Sequence, residues 1–156
     1  MKLSNIQILV LRFALAGLFL YVGITKINAG WLVSPESLLG ALNGYKEHAA
    51  GLEHSYIENV AIPYASMWSK LMALGETAIG ISMLFGLLVR LSSLFGIFMV
   101  LNYHFVNGNL LSLSFFGNPW AVLVLAAFAV LFLARGGRYA GFDTMLAKNK
   151  SKGVLW

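Results

Sequence analysis

The sequence contains no cysteine among its 156 residues. This absence excludes disulfide bonds, thiolate catalysis and cysteine-ligated iron–sulfur or haem centres within the chain. Histidine and acidic residues are also scarce, at three and six. His48 and His54 are six residues apart, which is not a metal-ligand spacing on one helix face. The sequence therefore predicts no metal site, and it carries no motif for a bound haem or flavin.

Charged residues are scarce as well. Charged residues make up 11% of the chain and hydrophobic residues 59%, a balance typical of proteins with apolar runs long enough to cross a bilayer. The net charge is +5, yet no basic patch interleaved with aromatic residues is present, so nucleic acid is not an expected partner. The positive charge is better explained as cytoplasmic anchoring charge on a membrane protein.

Four apolar runs predict an all-α fold, an integral membrane four-helix bundle. A helix of 20 residues is about 30 Å long, which matches the hydrocarbon thickness of a bilayer. The whole bundle should occupy residues 1–146, and residues 147–156 should form a basic cytoplasmic tail. The predicted helices cover residues 6–27, 66–89, 91–107 and 119–135, and the connection between the second and third is a tight turn near Arg90.

The distribution of basic residues predicts the orientation. With four spans, both termini share one side, which receives eight of the eleven Lys and Arg residues and is therefore cytoplasmic. The eight are Lys2, Arg12, Arg90, Arg135, Arg138, Lys148, Lys150 and Lys152.

A long loop over residues 28–65 should then face outward. Within it, "SPESLLGALNGYKEH" predicts an amphipathic surface helix that Ser34 caps. The aromatic residues of this region suit a belt at the outer membrane interface; they are Trp31, Tyr45, Tyr56, Tyr64 and Trp68.

Glu76 lies near the middle of the second run, where an unpaired carboxylate costs about 3 kcal/mol or more. Helical spacing places it on one stripe with Gly80, so it should face the bundle interior. Gly75 and Gly80 should suit close helix packing, and Gly23 should let another helix or a ligand approach closely. Arg12 is a candidate partner for Glu76, directly or through a bridging group. On the third helix His104 and Asn102 point in nearly opposite directions, so only one should face the bundle centre.

Three stretches carry a family resemblance: "LRFALAGLFLYVGITKINAGW", "GETAIGISMLFGLLVRLSSLFG" and "GGRYAGFDTML". They resemble the DoxX/DoxD family of small four-helix membrane proteins, and more closely its DoxD-type branch, the large subunit of thiosulfate:quinone oxidoreductase. The resemblance covers most of residues 11–146, although the outer loop matches poorly apart from Trp31. It implies oxidation of thiosulfate to tetrathionate, with electrons passed to a membrane quinone, and a small second subunit.

Under that reading the chain is an enzyme subunit with quinone as a diffusible electron acceptor. Glu76 and His104 are the candidate catalytic residues, for proton exchange with the quinone. Arg12, Lys26 and Tyr103 are candidate binding residues, with Lys26 attracting an anionic sulfur substrate. The alternative is a non-catalytic membrane module for binding, assembly or transport, in which a buried Arg12–Glu76 pair only fixes helix register. A second copy of the chain, in a homo-oligomer, is a candidate partner under either function.

Overall fold

The computed structural model describes residues 5–108, 110 and 115–149. This part of the chain is helical and contains no strand. Residues 150–156 of the predicted basic tail lie outside it. The seven α-helices are α1 (Asn5–Asn28), α2 (Glu36–Lys46), α3 (Gly51–Tyr56), α4 (Ala65–Phe85), α5 (Val89–Val106), α6 (Pro119–Leu133) and α7 (Asp143–Asn149), with a π-helical stretch at Ile57–Ala61 and a 3₁₀ turn at Gly136–Arg138.

The four long helices pack on one another, α1 chiefly against α4, and α5 against both α6 and α4. Their inner faces share a core that includes Ile8, Phe19, Met83 and Phe128. Many large apolar side chains remain on their outer faces instead, which is the pattern of helices surrounded by lipid. Within the described residues, α1 and α5 are long and apolar enough to cross a membrane, and α6 is a shorter apolar helix.

The second predicted helix ends earlier than the sequence analysis expected. Gly86 adopts the left-handed conformation, with φ of 66°, and terminates α4 at Phe85 rather than at Val89. Leu88 is also left-handed, with φ of 54°, and α5 starts one residue later. Arg90 therefore belongs to the first turn of α5, and the tight connection occupies residues 86–88.

Residues 29–64 form a cap over one end of the four long helices. Its predicted surface helix is confirmed as α2, which buries Leu38 and Leu42 against the upper part of the bundle. The capping position differs from the prediction. Pro35 is the N-cap residue, and the Ser34 hydroxyl accepts a hydrogen bond from the Glu36 N–H at 3.3 Å.

Candidate functional site

Glu76 forms an ion pair with Lys26 across the interface between α1 and α4. The two side chains are 12% and 21% exposed, so the pair is largely withdrawn from solvent. The Lys26 ammonium also lies 5.1 Å from the centre of the Trp31 ring, close enough for a cation–π contact. The second carboxylate oxygen, Glu76 Oε2, is buried and receives no hydrogen bond from the described residues. One acceptor therefore remains available beside a neutralised pair.

Glycines bring α1 and α4 close enough for this pair to form. A Cβ on Gly23 would lie 2.6 Å from the Thr77 backbone nitrogen, and one on Gly80 would lie 2.7 Å from the Leu20 nitrogen. Both distances are too short for any side chain, so only glycine fits at either position. The prediction of close packing at these two glycines is confirmed. Gly75 differs, because its nearest neighbour is the flexible end of Met99 at 3.6 Å.

A cavity of about 440 Å³, the lateral cavity, lies directly against the ion pair. Its exposed lining residues include Leu18 of α1 and Trp120 of α6, so it opens on the side of the bundle between these helices. Apart from Lys26, Glu76 and His104, most of its lining is apolar or aromatic. A pocket that is mainly apolar, with a few polar groups close together, is the usual form of a small-molecule site.

His104 lines the lateral cavity from α5 and is buried. Its ring contacts Tyr103 and Phe115 edge to face, at centroid distances of 5.2 and 5.4 Å. Nδ1 of His104 is buried without a hydrogen-bond partner among the described residues. The lateral cavity thus brings together two candidate site residues, Glu76 and His104, each with a buried polar atom that has no hydrogen-bond partner within the described part of the chain.

A second cavity of about 190 Å³ lies between the cap and the long helices, and we call it the cap cavity. Its aromatic lining residues are Trp31, Tyr45, Tyr56, Trp68 and Tyr103. Four of these were predicted to form an interfacial belt, but they line this cavity instead because the cap folds over them. Of the five residues assigned to that belt, only Tyr64 is strongly exposed.

The two cavities meet at Lys26, Met72 and Tyr103, which line both. Asn102 and His104, which were predicted to point in nearly opposite directions, line different cavities. His104 serves the lateral cavity, while Asn102 lines the cap cavity and donates a hydrogen bond to the Tyr56 hydroxyl at 2.8 Å. Burial raises the pKa of Tyr45, which also lines the cap cavity and hydrogen-bonds to Tyr103.

Arg12 does not pair with Glu76. Its guanidinium is 1% exposed and donates to three backbone carbonyls of the segment 136–143, which we call the hook. The acceptors and distances are Gly136 at 3.2 Å, Tyr139 at 2.8 Å and Ala140 at 3.2 Å. The hook lies 124 or more residues away in sequence, so helical spacing on α1 gave no sign of it. Arg12 is therefore a structural residue at the other end of the bundle, outside both cavities.

Asp143 at the end of the hook completes this arrangement. Its carboxylate accepts the Leu88 N–H at 2.6 Å and the Val89 N–H at 3.1 Å, and so caps the start of α5. Burial raises the pKa of Asp143, whereas these two N–H donors and the nearby Arg12 lower it. The hook thus ties α1, the turn between α4 and α5, and the C-terminal end of α6 into one unit.

The fold and the site together show a helical protein in which a largely enclosed Lys–Glu pair lies beside two cavities. The DoxX family model matches residues 7–109, so the chain belongs to the DoxX family. No curated protein and no solved structure matches the chain. The family places the protein in a lipid bilayer.

Two residues of the site were not predicted to belong to it. Trp68 was expected only in the aromatic belt, but it lines the cap cavity, and its indole Nε1 is buried without an acceptor in the described residues. The other is Ser69, whose hydroxyl donates to the Trp31 carbonyl at 2.6 Å and fixes the chain beside Lys26. Trp68 and Ser69 are adjacent at the start of α4. Their sequence alone does not predict that the cap folds back onto this turn.

Proposed function

We propose that the chain is the membrane subunit of a quinone-linked oxidoreductase. The four long helices α1, α4, α5 and α6 cross the bilayer of the cell membrane as a bundle. Both termini are cytoplasmic and the cap faces outward, since the hook end of the bundle carries most of the basic residues. The electron donor is thiosulfate, and a small second subunit completes the enzyme.

The observation that supports this function best is the free carboxylate oxygen of Glu76 in the lateral cavity. A quinone is a lipid-soluble molecule with an apolar tail and two ring oxygens that exchange protons. The side opening lets it enter from the lipid, and the apolar lining suits its ring and tail. The buried Glu76 Oε2 and His104 Nδ1 are the polar atoms available to its oxygens.

Reduction of a quinone takes up two electrons and two protons and yields the quinol. Glu76 is suited to deliver a proton, because Lys26 stabilises the carboxylate that remains. His104 is the second proton-exchange group, and Tyr103 lies where the two cavities meet. The two electrons come from two thiosulfate ions, which join through a new sulfur–sulfur bond to give tetrathionate.

The donor approaches from the cap cavity, on the other side of Lys26. The ammonium of Lys26, the candidate group for attracting an anionic substrate, is paired with Glu76. Its charge becomes available when Glu76 takes up a proton. This arrangement links protonation of Glu76 to binding of an anionic donor.

A non-catalytic role is the second candidate, and the same ion pair favours it, because Lys26 and Glu76 join two helices that glycines bring into close contact. In that case the pair is only an interhelical tie. The buried pair is then Lys26–Glu76, and not the Arg12–Glu76 pair expected from sequence.

The test is quinone reduction by purified protein with thiosulfate, with and without candidate small subunits. The E76Q variant keeps the shape of the side chain but cannot exchange a proton at that position. We expect E76Q to bind a short-chain quinone, followed by tryptophan fluorescence, yet to lose turnover. E47Q makes the same chemical change at an exposed cap residue and should keep full activity.

Two results would count against the redox function. One is the absence of quinone binding by a folded wild-type protein. The other is an E76Q variant that turns over normally and differs from wild type only in thermal stability, which is the behaviour of a structural tie.

A further inference from the structure

A third cavity lies at the hook end of the bundle, and neither Lys26 nor Glu76 lines it. Its volume is about 460 Å³, and it is formed by the end of α4, the hook and α7. Two cations, Arg138 and Lys148, line it together with three large apolar side chains, Phe85, Phe142 and Met145. We call it the hook cavity.

The charge of the hook cavity is positive. Its nearest acid, Asp143, is buried, and both its oxygens accept backbone N–H groups of the α4–α5 turn. Asp143 interacts electrostatically with Arg12 and Arg138 together, so a single carboxylate faces three cations when Lys148 is included. An anionic group can therefore enter with favourable electrostatics.

The apolar side chains that line the hook cavity are exposed. Phe85, Phe142 and Met145 are 52%, 49% and 65% exposed. The rings of Phe85 and Phe142 lie 6.3 Å apart and form one surface. Along α4 this surface continues into Leu84 and Ile81, which are also exposed. A small inorganic anion would leave all of this apolar area uncovered, whereas an acyl chain would cover it.

We propose that the hook cavity binds one anionic phospholipid, with its phosphate between Arg138 and Lys148 and an acyl chain along Phe85, Phe142 and Met145. Each basic residue near an anionic headgroup contributes attraction that salt weakens. The bound lipid rests on the hook, and through it on Arg12 and the turn that starts α5. Its binding therefore stabilises the end of the bundle that the hook closes.

The test uses the full-length protein in phosphatidylcholine nanodiscs with increasing phosphatidylglycerol. Native mass spectrometry after release counts retained lipid, and tryptophan fluorescence follows thermal unfolding. We expect one phosphatidylglycerol to be retained in preference to phosphatidylcholine, and the unfolding temperature to rise with it. K148Q should weaken this retention about fivefold, which corresponds to about 1 kcal/mol for one lysine.

Two further variants separate the alternatives. K70Q removes the same charge from an exposed lysine at the start of α4, at the opposite end of the bundle, and should retain the lipid as wild type does. M145S leaves both cations in place and should weaken retention through the acyl chain.

Equal losses of phosphatidylglycerol retention in K70Q and K148Q would overturn the proposal. They would show that the lipid is attracted by the net charge of the protein and not by this cavity. The proposal would also be overturned if M145S retained the lipid as wild type does and inorganic phosphate displaced the lipid. The cavity would then be a small-anion site. R138Q is a less specific variant than K148Q, because Arg138 also interacts with Asp143 inside the hook.

Discussion

The Lys26 ammonium and the Glu76 carboxylate meet across the α1–α4 interface, fifty residues apart in sequence. The pair lies next to the contact between Gly23 and Thr77, one of two places where a glycine lets α1 and α4 approach closely. The same pair forms part of the wall of the lateral cavity. Its charges therefore contribute both to helix packing and to the chemistry proposed for the cavity.

A double-mutant cycle should show this coupling. Removal of one partner from a buried pair leaves the other charge unpaired, so K26M and E76Q should each lower the free energy of unfolding by up to about 3 kcal/mol. The double variant K26M/E76Q should lose less than the sum of the two, because no charge remains unpaired. Reversible unfolding in detergent, followed by tryptophan fluorescence, measures all four proteins. Strictly additive losses would mean that the two side chains do not interact in the folded protein.

Substitution at Gly23 should separate α1 from α4. A methyl group there would press against the backbone of Thr77, which cannot move without moving α4. We expect G23A to lower the free energy of unfolding by about 1–3 kcal/mol, which is the usual cost of overpacking.

Gly17 on the same helix is the matched control, since a Cβ there meets nothing within 4 Å. G17A should leave the stability unchanged or raise it slightly. If both variants were equally stable, close packing at Gly23 would have no energetic consequence.

Filling the lateral cavity should block ligand binding without disturbing the ion pair. Ala121 is buried and lines the cavity from α6. The larger side chain of A121L would occupy part of the space for a quinone ring. We expect affinity for a short-chain quinone to fall at least about tenfold, or 1.4 kcal/mol, with the fold retained.

A126L adds the same atoms to the exposed face of α6 and should bind as wild type does. Unchanged quinone affinity in A121L would show that quinone binds outside this cavity.

The cap that Asp143 provides for α5 should be needed for stability. D143N keeps one acceptor oxygen but places an NH₂ donor opposite one of the two N–H groups of Leu88 and Val89. We expect a loss of about 1–2 kcal/mol from the lost cap and the unpaired donor. Thermal unfolding compares D143N with E47Q, the same change at an exposed site, which should be close to neutral. A D143N protein as stable as E47Q would show that the cap is dispensable.

The same carboxyl should give the protein a specific pH dependence. Burial raises the pKa of Asp143 in the folded state. The folded protein therefore holds this proton more tightly than the unfolded chain, whose aspartate pKa is about 3.9. The contribution of Asp143 to stability is full below that value and is lost as the pH rises through the raised pKa.

D143N cannot titrate at this position, so its unfolding temperature should fall less than that of wild type when the pH rises from about 3.5 to about 7. Parallel curves for the two proteins would contradict a raised pKa.

The sequence by itself determined the helical character of the protein and its place in a membrane, because long apolar runs with few charges permit little else. It also determined that Glu76 faces inward, since a stripe with Gly80 follows from the 3.6-residue period alone. The surface helix in the cap was visible for the same reason. These features depend on residues close together in sequence, so they can be predicted without the tertiary structure.

Only the tertiary structure decided which charges meet. Arg12 and Lys26 share one face of α1, and either could have been the partner of Glu76. The hook determines the pairing, because Arg12 donates hydrogen bonds to three of its carbonyls, which lie more than 120 residues away in sequence. The partner of Glu76 is then Lys26, at the end of α1 beneath the cap. The cap likewise turned a predicted aromatic belt into a cavity lining, because burial depends on contacts that no short stretch of sequence contains.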